Sequence, residues 1–571
     1  MNRMIRLGTA LAFLLMISSG TRAQERTYPK NYFRNPLNIP MQLVANFGEL
    51  RANHWHMGLD IRTQQRENLP VYAAAEGYIA RITVEPGGFG RAIYINHPNG
   101  FTTLYAHLNN FEPRLHQYVK DQQYALESWK VDLRLPPGLF PVRKGDFFAY
   151  SGNTGGSQGP HVHFEIRDTY TDNCLNPLLF GFPLADAVPP TLTRLAMYDR
   201  NKSVFHQTPQ LLGLRKSGAD HLLAKGSGLT VGSNRLSFAL SATDRLSGTP
   251  NPNGIYSAHL FLDGRLVSGF ALDDIDYDET RYFNAHTDYR YKYNGGPWLQ
   301  HISPMPGDTT DLYRPLDSDG IIELNDTLSH EVVIEVRDAY KNLSRIRFQL
   351  RYNPRLAPTY AQAGTQFLPT NVNVFERDNF ELFTSELSLY DTVLVSYSVG
   401  AQPSGKAVSP VFNFLHPSIP THDSVSVRIR PTVSIPEDKR DKLVIRSISG
   451  SRTVVEKASW QSGWLHAKFR QFGSYQAFID DSPPTVNAPG SGDTINLTKS
   501  TRLVFTPRDD FNTIKSFRAE AGGQWLLFTN DKGRTWIYSF DNKFPSGVST
   551  LKLVIEDEAG NVMEKTWWVR R

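Results

Sequence analysis

Short runs of alternating apolar and polar residues fill most of the chain beyond about residue 36, and Gly, Pro, Asn and Asp separate them. The run Ser424–Arg430 has the two-residue period of a β-strand with one buried face. Helical periodicity is scarce: one candidate helix lies between about residues 112 and 129, where Leu115, Val119 and Leu126 recur at roughly helical spacing. The aromatic share of 12% agrees, since aromatic side chains suit a pleated, half-buried surface. The pattern predicts a mainly β protein.

Proline-rich tripeptides divide the chain into units. Its 571 residues are too many for one hydrophobic core, and ~150 residues per domain suggest three or four domains. The tripeptide Pro-Pro-Thr begins at residue 189 and again at residue 483. We therefore expect a first domain at about residues 36–186, followed by β-rich units at residues 189–355, 356–480 and 481–571.

The second and fourth of these units end alike. In each, an apolar strand runs into the sequence Asp-x-x-x-Asn, at residues 338–342 and 557–561, a turn whose side chains can bond nearby backbone. The pattern resembles the last hairpin of bacterial immunoglobulin-like modules and predicts a duplicated β-sandwich. We expect these β units to act as spacers or to contact the cell wall or other proteins.

The N-terminus has the features of a signal peptide. Arg3 and Arg6 precede a largely apolar run, Leu7–Ile17, and small and polar residues lead to a cleavage site after Ala23. The run is shorter than the ~20 apolar residues that a membrane anchor needs, and no cysteine follows it for a lipid anchor. Residues 1–23 are therefore predicted to direct export, to the periplasm or out of the cell, and no membrane span is expected after the signal is removed.

Cysteine content and charge exclude several classes of function. Cys174 is the single cysteine, so an intrachain disulfide framework and a cysteine-based zinc site are ruled out. The net charge of +5 weakly favours an anionic surface such as a cell wall, and the scattered charges form no nucleic-acid-binding stripe. The acidic run at residues 273–279 offers oxygens to calcium, but it lacks the glycine and spacing of a calcium loop, so we expect a solvated loop.

Histidines are concentrated in the first unit, where seven of the 16 fall between His54 and His163. His56 and Asp60 are four residues apart, with Gly58 between them and a strand-like run after them, which places His56 in a loop and Asp60 at a strand start. An imidazole and a carboxylate are both natural zinc ligands. By itself, however, this pair arises often by chance.

A second group, residues 161–166, alternates strictly as a strand, with His161, His163 and Glu165 on one face. Two imidazoles about 7 Å apart along that face can meet one metal. Alternatively, one binds metal while its neighbour moves protons, or both are solvated strand residues.

A third group, residues 102–108, alternates in the same way. Thr103, Tyr105 and His107 are predicted on one strand face, opposite the apolar Leu104 and its neighbours at positions 106 and 108. A lone histidine in such a strand is usually structural.

Taken in order, these groups and their neighbours resemble one family. The set consists of Phe47–Arg51, His54–Arg62, Val71–Gly77, Gly90, Ile95–Gly100, Tyr105–Leu108, Val142–Asp146 and Gly152–Glu165. It closely resembles the lysostaphin/LytM-type zinc endopeptidases, which cut peptidoglycan peptides, over about residues 45–180, roughly a quarter of the chain. The resemblance implies a LytM-like antiparallel β-sheet peptidase domain ahead of two or three β-sandwich, immunoglobulin-like units.

The resemblance also implies a site. By their positions in the family motifs, His56, Asp60 and His163 are the ligands of one zinc ion per chain, and His107 and His161 are catalytic. Three protein ligands leave a fourth tetrahedral position for a water molecule, which the metal activates. One catalytic histidine then takes the proton of that water while the other stabilises the tetrahedral oxyanion. The nearby carboxylate at position 165 can orient a ligand histidine.

The resemblance predicts a zinc-dependent endopeptidase that hydrolyses peptide bonds in peptidoglycan stem peptides or cross-links during wall remodelling. Two alternatives remain open: an inert relative that binds and activates a wall amidase, and an exported zinc peptidase that acts on proteins. Inert relatives typically lack the zinc ligands, whereas all five positions are present here.

One segment departs from the family pattern. Between His107 and Val142 the family has a short turn, whereas about thirty residues intervene here. We expect this insertion, at about residues 112–141, to lie near the groove and to act as a lid or a specificity element.

Overall fold

The computed structural model describes residues 28–314, 316–360 and 364–571, and the predicted signal peptide lies outside these ranges. Strands dominate the described residues, and their α-helices are Pro113–Ala125, Phe283–His286 and Tyr289–Tyr293. The prediction of a mainly β protein is therefore confirmed. Among the described residues, no helix has the length and apolar character that a membrane crossing requires.

The first unit is built on one large sheet, whose main path is antiparallel throughout. In spatial order its strands are Leu43–Ala45, Leu59–Arg62, His161–Asp168, Phe101–Ala106, Arg91–Asn96, Gly77–Val84 and Val131–Arg134. Shorter strands flank this path or form small sheets beside it: Leu50–Arg51, His54–Trp55, Pro70–Tyr72, Asn110–Phe111, Pro141–Val142, Phe147–Tyr150 and Cys174–Leu175.

Both faces of the central strand His161–Asp168 are covered. One face packs into the core of the unit, where the ring of Phe164 lies 5.3 Å from that of Tyr105. The opposite face is covered as well, since residues 162–167 are all buried. Tyr277, from the second unit, contributes to this cover, since its ring lies 5.0 Å from the guanidinium of Arg167.

The insertion extends the sheet. Its helix begins after Glu112, whose carboxylate accepts hydrogen bonds from the first free backbone amides of the helix, and Leu115 and Val119 are buried in the core. The following strand, Val131–Arg134, pairs with Gly77–Val84 and becomes the edge of the large sheet. The inserted residues are therefore an integral part of the first unit.

The second unit contains two sheets that pack on each other, and Phe238 and Phe348 meet between them at 5.6 Å. The strands of one sheet are Thr191–Asp199, Gln210–Leu212, Arg235–Thr243, Gln300–His301 and Ile322–Glu323. Those of the other are Leu214–Ser217, Asp220–Leu223, Gly228–Val231, Ser257–Leu262, Arg265–Ala271, Ser329–Arg337 and Leu343–Tyr352. A further short strand, Asp274–Ile275, pairs with Cys174–Leu175 of the first unit.

The third unit also has two main sheets, joined by the contact of Phe380 with Phe412 at 5.2 Å. The strands of one are Asn373–Arg377, Phe380–Thr384, Val425–Ile429, Ser459–Gln461 and Trp464–Phe469, and those of the other are Tyr397–Val399, Phe412–Phe414, Leu443–Ser449, Arg452–Lys457 and Gly473–Ile479. Gln366–Phe367 and Val393–Leu394 form a separate pair.

The fourth unit repeats features of the second. Its strands are Thr494–Asn496, Ile514–Ala521, Gln524–Trp525, Val548–Asp557 and Val562–Arg570 in one sheet, and Arg502–Phe505 and Trp536–Ser539 in another. In both units the last two strands form a hairpin closed by Asp-x-x-x-Asn, and a short strand pairs in parallel with the final strand. The immunoglobulin-like character of the two units stays a prediction.

The four units contact one another in a closed cycle. The first binds the second through Asn46, whose side chain exchanges two hydrogen bonds with the backbone of Gly254. The second and third share one hydrophobic core. The third reaches the fourth through Lys442 Nζ, 2.7 Å from the carbonyl oxygen of Gly560. The fourth returns to the first, as described below.

Candidate metal centre

A close approach of two chain segments brings His56 and Asp60 to the central strand. Gly58 lies between them, and a Cβ atom at this position would stand 2.4 Å from the carbonyl oxygen of Phe164. Only glycine allows the backbone to pass this close. Asp60 is then paired directly with His163 in the antiparallel register, so that their side chains lie on one face.

Three buried donor atoms converge at this point. His56 Nε2 lies 2.9 Å from Asp60 Oδ1 and 3.0 Å from His163 Nδ1, and His163 Nδ1 lies 2.9 Å from Asp60 Oδ1. All three residues are at most 5% exposed. They form one of the three clusters of potential metal ligands in the described part of the chain.

The outer nitrogens of the two imidazoles fix where their protons are. His56 Nδ1 lies 2.7 Å from the carbonyl oxygen of Asn46, and His163 Nε2 lies 2.8 Å from Glu165 Oε1. Because both partners are acceptors, these outer nitrogens can carry the ring protons when the inner nitrogens bind a metal. The inner nitrogens then present lone pairs to each other and to the Asp60 carboxylate, an arrangement that a cation between them stabilises.

The donor set fits zinc. Zinc is bound by imidazole nitrogen and carboxylate oxygen at about 2.0–2.2 Å in tetrahedral sites, which places neighbouring ligand atoms about 3.3 Å apart. The three donor atoms here are 2.9 to 3.0 Å apart. Two nitrogens and one carboxylate oxygen are also the ligand types of catalytic zinc sites with three protein ligands.

His107 lies in this site, but it does not follow the alternation predicted for its strand. Ala106 pairs with His163 and is on the metal face, whereas Tyr105 lies in the core on the other face. The strand ends at residue 106, and His107 has a φ of 59°, so the backbone turns at this residue. Its ring therefore stands 4.8 Å from that of His161. The predicted common face with Tyr105 is wrong.

His107 and His161 are held in the same tautomer. His107 Nδ1 lies 2.9 Å from the carbonyl oxygen of Thr154, and His161 Nδ1 lies 2.8 Å from that of Gly159. Each Nδ1 therefore donates its proton, and each Nε2 is left as an acceptor. His161 Nε2 lies 3.3 Å from Asp60 Oδ1. Burial of the imidazole lowers the pKa of His107 to about 3, which keeps its ring neutral.

The segment Ser151–Gly159, called the glycine loop below, supplies both carbonyl acceptors. It packs tightly on Gly90, because a Cβ at Gly155 would stand 2.3 Å from the Gly90 amide nitrogen, and Gly155 has a φ of 67°. Glycine at this position satisfies both the close contact and the left-handed backbone.

Three charged residues, Glu165, Arg167 and Arg51, surround the ligands, and the sequence predicted a role only for Glu165. Glu165 was expected to orient a ligand histidine, and it accepts from His163 and binds Arg167 through its other oxygen at 2.7 Å. Burial opposes the ionisation of Glu165, but Arg167 and His163 outweigh it and lower its pKa to about 2. Arg51 Nη2 lies 2.7 Å from Asp60 Oδ2, a contact for which the sequence carried no signal.

The fourth unit reaches the glycine loop through residues 530–534, called the tip loop below. Asp531 Oδ1 accepts a hydrogen bond from the Gly155 amide at 2.9 Å, and Lys532 Nζ donates to the Ser157 carbonyl oxygen at 2.9 Å. The backbone amide of Lys532 also donates to the carbonyl oxygen of Pro86. The glycine loop and the turn at Pro86 are thus bound by a unit more than 350 residues away in sequence.

The insertion helix anchors this fourth unit. Lys120 Nζ and the Tyr124 hydroxyl lie 2.8 and 2.7 Å from Asp541 Oδ2, and the Tyr124 ring packs edge-on against Trp525. The insertion was expected to be a lid or a specificity element near the groove, and that role stays a prediction. In the structure its helix binds the fourth unit, and the tip loop contacts the glycine loop.

The remaining histidines and the cysteine of the first unit have other positions. His54 and His116 are exposed, and His97 bonds Glu76 and Thr103 away from the ligand cluster. Cys174 is buried, with its sulfur 3.6 Å from Glu165 Oε2.

Comparison with known proteins agrees with the geometry of the first unit. The family model described as Peptidase family M23 matches residues 54–125, and that described as Zu5-like domain matches residues 365–480. An uncharacterized metalloprotease of Haemophilus influenzae is 29% identical over 166 residues, which are 28% of this chain and 29% of that protein.

A second relative is the DD-carboxypeptidase/endopeptidase Mpg of Neisseria meningitidis serogroup B. It is 31% identical over 176 residues, which are 31% of this chain and 30% of the relative, so the chain spans less than a third of the length of these relatives. Among solved structures, the catalytic domain of the antimicrobial peptidase lysostaphin from Staphylococcus simulans is 21% identical, with 24% of this chain and 87% of that chain covered and a TM-score of 0.18. The resemblance inferred from the motifs is confirmed: the chain carries a LytM-type domain of peptidase family M23 near its N-terminus.

Proposed function

We propose that the protein is an exported zinc endopeptidase that hydrolyses peptide bonds in peptidoglycan stem peptides or cross-links. The observation that carries this proposal is the convergence of His56 Nε2, Asp60 Oδ1 and His163 Nδ1, three buried potential ligand atoms within 3.0 Å of one another. Two more imidazoles, those of His107 and His161, stand beside them. The site therefore contains one set of side chains that can bind a metal and a second set that can transfer protons.

His56, Asp60 and His163 would hold the metal. Bound zinc supplies a water molecule with a pKa lowered to about 7 and polarises the scissile carbonyl group. The chain itself fixes the direction of each ligand, because Asn46 holds the ring of His56 and Glu165 holds the ring of His163.

His107 and His161 would carry the protons. Each has its Nδ1 proton committed to a backbone carbonyl, so each offers Nε2 as a proton acceptor on the same side of the site. The low pKa of His107 means that this ring starts neutral at physiological pH. Once a ring has accepted a proton, its Nε2–H can donate a hydrogen bond to the developing oxyanion.

Peptidoglycan is the substrate class favoured by the relatives. A protein named as a DD-carboxypeptidase/endopeptidase shares 31% identity over 176 residues. The predicted signal peptide at residues 1–23 would bring the enzyme to the periplasm, where this substrate is found, or outside the cell.

The test is digestion of purified sacculi by the full-length, zinc-loaded protein. We expect clearing that a chelator stops and added zinc restores, and that His161→Ala abolishes although its zinc content is unchanged. His54→Ala, which changes an exposed histidine of the same unit, is the matched control and should clear normally. The masses of the released muropeptides identify the bond.

Two outcomes would contradict the proposal. A zinc-loaded wild-type protein that leaves sacculi and muropeptides intact, yet stimulates a wall amidase, would be an inert activator. Cleavage of an unfolded protein such as casein without release of muropeptides would identify a protein peptidase.

A further inference from the structure

Two clusters of three aspartates lie at the junctions where the second and fourth units begin. Asp186, Asp244 and Asp338 form the first, and one carboxylate oxygen from each lies within 4.8 Å of the others. Asp186 belongs to the connection from the first unit, whereas the other two belong to the second unit. The carboxylates therefore meet across the junction.

The second cluster repeats this arrangement at the other junction. Asp480, Asp509 and Asp557 also have carboxylate oxygens within 4.8 Å of one another. Asp480 closes the third unit, and the other two belong to the fourth.

The two clusters use corresponding positions in the sequence. Asp186 and Asp480 each begin the sequence Asp-x-x-Pro-Pro-Thr. Asp338 and Asp557 each begin Asp-x-x-x-Asn, and in both cases Oδ1 accepts from the backbone amide of the asparagine and Oδ2 from its side chain. The third aspartate of each cluster, at position 244 or 509, follows a strand of its unit.

Several of these oxygens are buried and have no partner. Asp244 is 4% exposed and its Oδ1 makes no hydrogen bond, and Asp480 is 0% exposed with neither carboxylate oxygen in a hydrogen bond of ordinary geometry. Asp186 Oδ2 and Asp509 Oδ1 are also buried and unpartnered. Leaving buried carboxylate oxygens without a partner costs free energy. A cation bound among them would offset this cost.

Charge within the clusters is unbalanced. Burial, followed by the charges of Asp338 and Asp186, raises the pKa of Asp244 to about 7. Burial and the charges of the other two aspartates raise the pKa of Asp480 to about 6. Lys406, beside the second cluster, is 2.7 Å from Asp510, which lies outside the cluster.

We propose that each cluster binds one calcium ion, which fastens the preceding unit to the β unit that follows. Carboxylate oxygens without nitrogen or sulfur ligands are typical of calcium and magnesium sites rather than zinc sites. Oxygens that share one calcium ion lie at most about 5 Å apart, twice the usual bond length of about 2.3–2.6 Å, and both clusters meet this limit. Calcium, which tolerates irregular geometry, suits a site assembled from three distant segments better than magnesium, which needs a near-ideal octahedron.

The sites differ from the acidic run at residues 273–279, which the sequence suggested as an oxygen source. None of the six aspartates comes from that run. Their ligands are brought together by the hairpin turn, a strand end and the connection, three elements that are separated by up to about 150 residues in the second unit.

The test is equilibrium dialysis of the full-length protein with calcium, with zinc kept saturating, together with thermal unfolding. We expect two calcium ions per wild-type chain, one in Asp244→Asn/Asp338→Asn, one in Asp480→Asn/Asp557→Asn and none in the combined variant. Affinities of about 0.1–1 mM are usual for extracellular calcium modules, so the titration extends to several times that concentration. Saturating calcium should raise the unfolding temperature of the wild-type protein by roughly 2–5 °C and that of the combined variant not at all.

Neighbouring aspartates provide matched controls. Asp510→Asn, beside the second cluster, and Asp263→Asn, in an exposed turn of the second unit, should both retain two calcium ions. Without calcium, the single variants Asp244→Asn and Asp480→Asn, which leave the two Asp-x-x-x-Asn turns intact, should unfold at a higher temperature than the wild-type protein, because like-charge repulsion has been removed.

Three results would overturn the proposal: no calcium bound at millimolar concentration, two ions retained by a double variant, or binding of magnesium in preference to calcium. If a double variant does not fold, terbium luminescence of the wild-type protein provides the same test. Two terbium ions that calcium displaces support the sites, and the absence of such binding overturns them.

Discussion

His56 Nε2 and His163 Nδ1 face each other at 3.0 Å, and neither nitrogen carries a proton in the tautomers that Asn46 and Glu165 impose. Two lone pairs directed at one point, with a carboxylate oxygen beside them, define where a metal binds. They also show that the tautomers, and not only the ligands, determine the affinity of the site.

The first prediction concerns this imposed tautomer. Glu165→Gln removes the carboxylate that accepts the Nε2 proton of His163, so zinc affinity should fall about 10–100-fold, measured by competition with a chromophoric chelator. Asp132→Asn, which changes a carboxylate at the opposite edge of the sheet, is the control. An unchanged affinity in a folded Glu165→Gln protein would show that Glu165 serves only Arg167.

Replacing either of the two histidines proposed to be catalytic should lower activity and leave the metal bound. His107→Ala and His161→Ala are each expected to lower kcat by about 10²–10⁴-fold on a muropeptide, since proton transfer contributes about this much. Both variants should retain one zinc ion per chain, because neither residue belongs to the converging triangle. Loss of zinc together with activity in either variant would place that histidine among the ligands.

Stability of the first unit should depend on pH through His97. Burial lowers the pKa of His97 from 6.5 to about 4, so between these values the unfolded chain binds the proton more readily than the folded protein. The contribution is fully present above pH 6.5 and is lost as the pH falls toward 4. It amounts to about 2 kcal/mol between pH 7 and pH 5.

This contribution is measured by denaturant unfolding of the wild-type protein and of His97→Gln at these two pH values. It is the difference between the two proteins in the free energy of unfolding that each loses. The variant should lose about 2 kcal/mol less than the wild-type protein when the pH falls from 7 to 5. Equal losses in the two proteins would mean that His97 is protonated in the folded state at pH 5.

The tip loop should protect the glycine loop from solvent. Asp531→Ala removes the acceptor of the Gly155 amide, so hydrogen exchange of residues 153–159 should become faster by about 10-fold or more. Tyr124→Phe, which removes a hydrogen bond to Asp541 at the anchoring helix, should accelerate exchange at the same residues by a smaller factor. Exchange that is unchanged in both variants would show that the fourth unit does not hold the loop in solution.

Local sequence patterns account well for the convergence of His56, Asp60 and His163. Gly58 between His56 and Asp60, and the alternation around His163, are features of short segments, and short segments control backbone direction and strand faces. The position of His107 could not be predicted in this way, because its positive φ turns the chain just after the last paired residue. A strict two-residue period fails where a strand ends.

Contacts between distant units could not be predicted from sequence patterns. The tip loop meets the glycine loop, and three aspartates meet at each junction, only because whole units dock on each other. The insertion shows the same limit: its helix was predicted from periodicity, whereas its contact with Asp541 depends on where the fourth unit lies. Composition and periodicity predict individual helices and strands. The docking of whole units depends on complementary surfaces that lie far apart in the chain.

The closed cycle of units makes the tip loop an intramolecular ligand of the catalytic unit. Linked modules whose geometry allows contact meet at effective concentrations in the millimolar range. A separate molecule that binds Gly155 or Ser157 must therefore reach a similar concentration to displace the tip loop. This requirement does not depend on the concentration of the protein itself. Occupancy of this side of the candidate metal centre by the tip loop is consequently independent of dilution.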